Sequence, residues 1–260
     1  MDLGLKGRRA VVTGGTKGIG RAVAAELAAE GAVVSFCARH EGAVRETEQE
    51  LRDDGATVFG FQADIRQAAE VEHFIGASAE VLGGIDILVN NAGGAHPGSF
   101  ESLTDEDWHD DLDVKLFSQI RCSRAALAHL RRSEAPRIIN VNAVYGKYPD
   151  PAFFATTVNR AACLNFTKVM AQEFGPEGIL VNSVNIGFVA TPQWENIRRR
   201  RAPELTEEQF FARLAETEVP LGRFGTVDEV SGVVAFLASD RASYVTGSMI
   251  DVAGGMGKYV

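Results

Sequence analysis

Ala10-Val11-Val12-Thr13-Gly14-Gly15-Thr16-Lys17-Gly18-Ile19-Gly20 decides how this 260-residue chain is read. A short apolar run leads into a turn of small residues. Ile19, Val23 and Leu27 then recur at helical spacing. The pattern is strand, glycine turn, helix. Glycine admits positive φ and close approach of a ligand to the backbone. The helix start presents free N–H groups and the positive end of a dipole. A turn of this kind cradles the pyrophosphate of a dinucleotide. One glycine motif is weak evidence, so the order of elements around it carries the reading.

Apolar stretches at 33–37, 57–61, 85–89, 137–141, 179–184 and 249–252 read as further strands. Helical patterns separate them. One spans 41–53, and another carries Val71, Phe74 and Ile75. A long one covers 104–132, with Thr104 and Asp107 spaced as a cap pair. Two more cover 153–174 and 227–237. Strict alternation predicts a single α/β domain over 1–260. Its architecture is a Rossmann-type doubly wound, mostly parallel, seven-stranded sheet with helices on both faces. The stretch 188–219 is the least regular. It follows the sixth strand, at the carboxyl edge where ligands bind in such sheets, and is expected to cover the substrate.

Composition narrows the function. Thirty-five acidic residues against 26 basic ones give a net charge of -9, which does not suit a nucleic-acid binder. Cys37, Cys122 and Cys163 are far apart, odd in number and without metal spacing, so no metal or disulfide framework is expected. A reducing cytoplasm is the simplest location. No apolar run approaches the roughly 18 residues of a membrane span, and Met1 to Gly7 lack the apolar core of a signal peptide.

The end of the second strand selects the cofactor. An acid in this place binds the ribose 2′-hydroxyl of NAD. Here the chain has Ala38-Arg39, and the planar guanidinium of Arg39 suits a 2′-phosphate. Lys17 in the glycine turn adds a second cation. NADP(H) is therefore favoured over NAD(H).

These elements, with Ala63-Asp64-Ile65, Asn90-Asn91-Ala92-Gly93, Val181-Asn182-Ser183-Val184, Thr191-Pro192 and Phe236-Leu237-Ala238-Ser239-Asp240, resemble the short-chain dehydrogenase/reductase family of single-domain, 3-oxoacyl-reductase-like members. Tyr244-Val245-Thr246-Gly247 and Gly254-Gly255 extend the likeness to nearly the whole chain. The resemblance implies cofactor contacts from Gly14, Thr16, Lys17, Gly18, Ile19 and Gly20. It adds Arg39, Asp64 and Ile65 near the adenine end, and Asn90, Asn91, Ala92 and Gly93 along the cleft. Thr191 would sit at the nicotinamide and Arg160 at the ribose. It also implies a homodimer or homotetramer.

The family's catalytic positions are all substituted. It uses a Tyr, a Lys one turn later, a Ser upstream and an Asn on the preceding long helix. In the ungapped register those places hold Thr156, Arg160, Ala143 and Lys115. A Tyr phenol beside a Lys can give a proton near neutral pH. An aliphatic hydroxyl is far weaker, Ala143 donates nothing, and Arg160 does not deprotonate. Tyr148 and His96 are candidate replacement acids, with Tyr145 close by. Lys115 with Arg160 can hold a negative substrate or an enolate, or the two cations can be balanced by Asp110, Asp111 or Asp113. The run Arg198-Arg199-Arg200-Arg201 can receive a phosphorylated or CoA-like substrate, or can be a solvated helix face. The leading expectation is an NADP(H)-dependent oxidoreductase of a small carbonyl or alcohol substrate with an atypical site. A non-redox lyase, isomerase or cyclase, and an inactive cofactor-binding subunit, remain open.

Overall fold

Strands β1 (Arg9–Thr13), β2 (Val33–Ala38), β3 (Val58–Gln62), β4 (Ile87–Asn90), β5 (Arg137–Ala143), β6 (Leu180–Ile186) and β7 (Met249–Val252) lie in the order β3-β2-β1-β4-β5-β6-β7. Every pairing is parallel. The computed structural model describes residues 2–94 and 97–257. Helices α1 (Gly18–Ala29), α2 (Glu41–Asp53) and α9 (Val227–Ala238) cover one face, packing on Val12, Val89, Ile139 and Val184. Helices α3 (Ala68–Leu82), α5 (Ser118–Leu130) and α6 (Phe154–Phe174) cover the other, against Val11, Leu88, Ile138 and Val181. Because both faces are buried, the central strands read as continuous apolar runs without alternation. All the strands and the doubly wound sheet expected from the sequence are present.

The chain winds outward from β1 to β2 and β3, then restarts at β4 and winds the other way. At the reversal, between the carboxyl ends of β1 and β4, the covering helices part and leave a crevice. The glycine turn lies there. Gly14 and Gly18 have φ of 72° and 55°, in the left-handed region that costs other residues strain. At Gly20 a Cβ atom would collide with the Gly14 carbonyl oxygen and the Asn91 amide.

Two expectations need correction. The single helix expected over 104–132 is interrupted. Helix α4 (Asp105–Leu112) starts at the expected Thr104–Asp107 capping box, but a π-helical turn, Asp113–Phe117, separates it from α5. Such wide turns often sit at functional sites, and this one contains Lys115. The stretch 188–219 is also not irregular. It forms α7 (Pro192–Arg201) and α8 (Glu207–Glu218), the second begun by a Thr206–Gln209 capping box. Helix α7 escapes a periodicity reading because only Ile197 in it is buried and four arginines end it.

Aromatic packing fixes this pair of helices. Phe224 stacks on Phe211 at 4.2 Å and on Phe188 at 5.1 Å, and meets the edge of Trp194 at 5.3 Å. The stretch 188–219 is thus seated on its own small core with Ala215, Val219 and Met256. Phe224→Ala should lower the unfolding free energy by about 3 kcal/mol. Urea denaturation followed by tryptophan fluorescence tests this, since Trp194 stands in the affected cluster.

Candidate active site

Asp111, near the end of α4, is fully buried. A carboxylate so placed must be paired and hydrogen-bonded or lose its charge. Lys115 Nζ, one turn on, donates to Asp111 Oδ1. Thr156 Oγ1 on α6 donates to the same oxygen at 3.2 Å. Asn159 Nδ2, also on α6, donates to Oδ2 at 2.8 Å. One carboxylate therefore joins the side chains at two of the family's substituted positions. Lys115 is 1% exposed, and burial with the nearby Arg160 charge lowers its pKa to about 8, against the opposing pull of Asp111.

Arg160 lies one turn beyond Thr156. Its Nη1 donates to the Val141 carbonyl and to Asn142 Oδ1, each at 3.1 Å. Nε has no partner among the described residues. A Cβ on Gly93 would stand 3.2 Å from Nη2, which places the free edge of the guanidinium beside the Asn-Asn-Ala-Gly turn. Burial lowers its pKa from the ordinary arginine value, yet an arginine keeps its charge at working pH. Asn142 is held in turn by Gln119 Nε2 at 3.1 Å and donates to Ser183 Oγ at 2.9 Å.

Thr156 and Arg160 border a cleft of about 730 Å³ at the carboxyl edge of the sheet. Its walls include Gly14, Thr16, Lys17, Gly18, Ile19 and Gly20, then Arg39, Asp64, Ile65, Asn91, Ala92, Gly93, Arg160 and Thr191. These residues, all expected at a cofactor, thus share one wall. Asn91 also braces the glycine turn, its Nδ2 donating to the Thr13 and Gly14 carbonyls at 2.9 and 3.2 Å. Asn90 does not reach the cleft. It is buried and donates to Asn140 Oδ1 at 2.9 Å. Asp64 pairs with Arg66 at 2.6 Å, which lowers its carboxyl pKa.

Ala143, Thr156 and Arg160 also line this cleft. Lys115 stands behind Thr156, off the lining. Tyr148 is half-buried and also off the lining. Tyr145 is on it, stacked on Phe153 at 5.2 Å, but burial and then Asp150 raise its phenol pKa, which weakens it as an acid. His96 lies outside the described residues. Asn159 was missed by sequence reasoning, and Asp111 entered it only as one of three possible counter-charges, the one that the structure pairs with Lys115. An i,i+4 Asp–Lys pair on a helix normally reads as a solvated surface pair, and only the fold reveals its burial.

NADP(H) fits this cleft. Lys17 and Arg39 are exposed on it with no salt-bridge or side-chain hydrogen-bond partner among the described residues, leaving two cations for a 2′-phosphate. The start of α1 and the glycine turn leave backbone N–H groups for a pyrophosphate.

Fold and cleft together define a dinucleotide-binding oxidoreductase. The family model described as enoyl-(acyl carrier protein) reductase matches residues 14–257. A putative ketoacyl reductase of the monensin polyketide synthase from Streptomyces virginiae is 40% identical over 97% of this chain and 98% of its own. A 3-oxoacyl-[acyl-carrier-protein] reductase from Vibrio cholerae is 35% identical over 98% and 99%. The NADPH-bound structure of a short-chain oxidoreductase from Pseudomonas aeruginosa PAO1, described as containing an atypical catalytic center, is 39% identical. It covers 96% of this chain and 97% of its own, with a TM-score of 0.90. The chain belongs to the short-chain dehydrogenase/reductase family. It is an NADP(H)-binding oxidoreductase acting between carbonyl and alcohol.

Two outcomes follow. Arg39→Ala should weaken NADPH binding about tenfold to a hundredfold and leave NADH nearly unchanged, as loss of a charge-assisted contact predicts; fluorescence titration measures both. Asp111→Ala strands a buried ammonium and should cost about 3–5 kcal/mol of stability in chemical denaturation.

Proposed function

We propose that the chain reduces the ketone of a 3-oxoacyl-type substrate, with Lys115 as the source of the proton, Thr156 as its conduit and Arg160 at the carbonyl oxygen. The carrying observation is that Lys115 and Thr156 meet on one oxygen of the buried Asp111. The ketoacyl reductases among the relatives support the substrate class.

Bound NADPH supplies the hydride. The chain must do the rest. Negative charge grows on the substrate oxygen as the carbonyl is reduced, and a fixed guanidinium beside Gly93 stabilises it without giving up a proton. Thr156 lines the cleft, and a χ1 rotation turns its hydroxyl from Asp111 Oδ1 toward that oxygen. It is too weak an acid to act unaided, so its proton must be replaced as it leaves. The ammonium of Lys115, held near pKa 8, is far better matched to neutral pH than an ordinary lysine. The balance is one O–H bond formed on the product and one N–H bond broken at Lys115, whose amine then recharges from water. Asp111 orients both donors and keeps the lysine protonated. Tyr148, off the cleft lining, has no part in this scheme, and none is given to His96.

The reading extends to a homodimer or homotetramer in a reducing cytoplasm. Exposed Phe117, Val158 and Val169 near α5 and along α6 support self-association, and three buried free thiols suit that compartment. A single domain covered by 188–219 completes it.

The test is NADPH oxidation with 3-oxobutanoyl-pantetheine across pH. Reduction needs protonated Lys115, so kcat/KM should fall above pH about 8, tenfold per unit. Asp111→Asn removes the interaction that raises this pKa, so its fall should begin at lower pH. Lys115→Met should lose about 10² to 10⁴ in rate and the pH limb with it. An unchanged limb in Lys115→Met overturns the assignment. Product formed with no net NADPH consumption would point to a lyase or isomerase instead.

A further inference from the structure

The four arginines ending α7 have two different fates. Arg198 donates to Glu195 through Nε and Nη2 at 2.8 Å, and to the Leu205 carbonyl at 2.6 Å. Arg199 donates to the same Glu195 at 2.8 Å. That carboxyl is pulled down to about pKa 2 by the two hydrogen-bonded guanidiniums. Arg200 and Arg201 have no carboxylate partner among the described residues, and both line the cleft. A helix C-terminus favours cations, which accounts for arginines on α7. It does not account for the last two facing the cleft without acceptors.

Their place is the substrate end. The Arg201 Cζ lies 5.6 Å over the ring of Phe153. Phe153 immediately precedes α6, which carries Thr156 and Arg160, and it stacks on Tyr145 of the same wall. The cofactor already has Lys17 and Arg39 at the other end. The platform is rigid: Ile197 is buried against Ala202 and Phe210, and Trp194 belongs to the aromatic cluster around Phe224. Asp110 lines the cleft too but pairs with neither arginine. In a chain of net charge -9, two unneutralised guanidiniums at the mouth of one cleft form a local field of opposite sign.

We propose that Arg200 and Arg201 form an anion subsite that selects carbonyl substrates carrying a negative group. The proposal rests on the carbonyl-reductase reading above and names the substrate class for it. The planar forks suit either a carboxylate or a phosphate. The group is either the substrate's own carboxylate or the phosphate of a carrier arm.

Calorimetric titration of the NADP⁺-loaded protein distinguishes these sources. The probes are acetoacetate against methyl acetoacetate, and 3-oxobutanoyl-4′-phosphopantetheine against 3-oxobutanoyl-pantetheine. Wild type should bind the charged member of one pair at least about tenfold more tightly, as a charge-assisted contact provides. An advantage in the first pair identifies a substrate carboxylate, and one in the second a carrier phosphate. Arg200→Gln/Arg201→Gln, two exposed substitutions, should erase the advantage and leave NADP⁺ affinity and the neutral probes unchanged. No preference for charge in wild type, or a preference that survives in the double variant, overturns the proposal. So does a loss of NADP⁺ affinity, which would assign the pair to the cofactor. Turnover is read in parallel: a charge preference erased by the substitutions, with no probe reduced, keeps the subsite and removes the reductase reading.

Discussion

The Asp111 carboxylate is the constraint on which the reactive end of this protein depends. A charge this deep persists only if its neighbours satisfy it. Thr156 and Asn159 come from α6, so the carboxylate fastens α4 to α6. The π turn belongs to the same arrangement. It begins where α4 ends and carries Lys115 back to Asp111, with α5 resuming beyond it. Lys115 and Thr156, expected from the sequence to stand where the family carries Asn and Tyr, share one buried carboxylate.

The fold was legible for a physical reason. Strands buried on both faces must be mostly apolar, and those at 85–89, 137–141 and 179–184 are, with few polar members such as Asp86, Asn140 and Asn182. The glycine turn was equally plain, because Gly14, Gly18 and Gly20 are demanded by backbone geometry alone. The cofactor residues followed because they belong to loops at fixed offsets from those strands. What could not be read was burial within a polar helix. Asp105 to Leu112 holds five acidic side chains in eight residues, and only Asp111 is buried. Hydropathy cannot tell it from Asp110 beside it.

The covering segment failed to show itself for a different reason. Helices α7 and α8 are held by aromatic contacts with Phe224, which lies beyond both in sequence. Their apolar residues pack on a small separate core rather than on the sheet, so the repeating stripe that betrays a sheet-covering helix is thin. The arginine run deepened the disguise, since only Glu195 and the cleft wall separate its members into neutralised and free.

Beneath the cleft, Arg160 leans on Asn142, Asn142 donates to Ser183, Ser183 to Asn185, and Asn185 to Asp251 at 2.7 Å, with Lys147 closing the line. Asn142, Asn185 and Asp251 stand in register across β5, β6 and β7. Asn142, Ser183 and Asn185 are fully buried and each satisfies the next, and the line meets solvent only at Asp251 and Lys147. Over evolutionary time such a line resists piecemeal drift, because altering one member strands its neighbour. Arg160, at its inner end, is therefore poorly replaced by lysine, since a point ammonium cannot reproduce the two-acceptor grip from which that line begins.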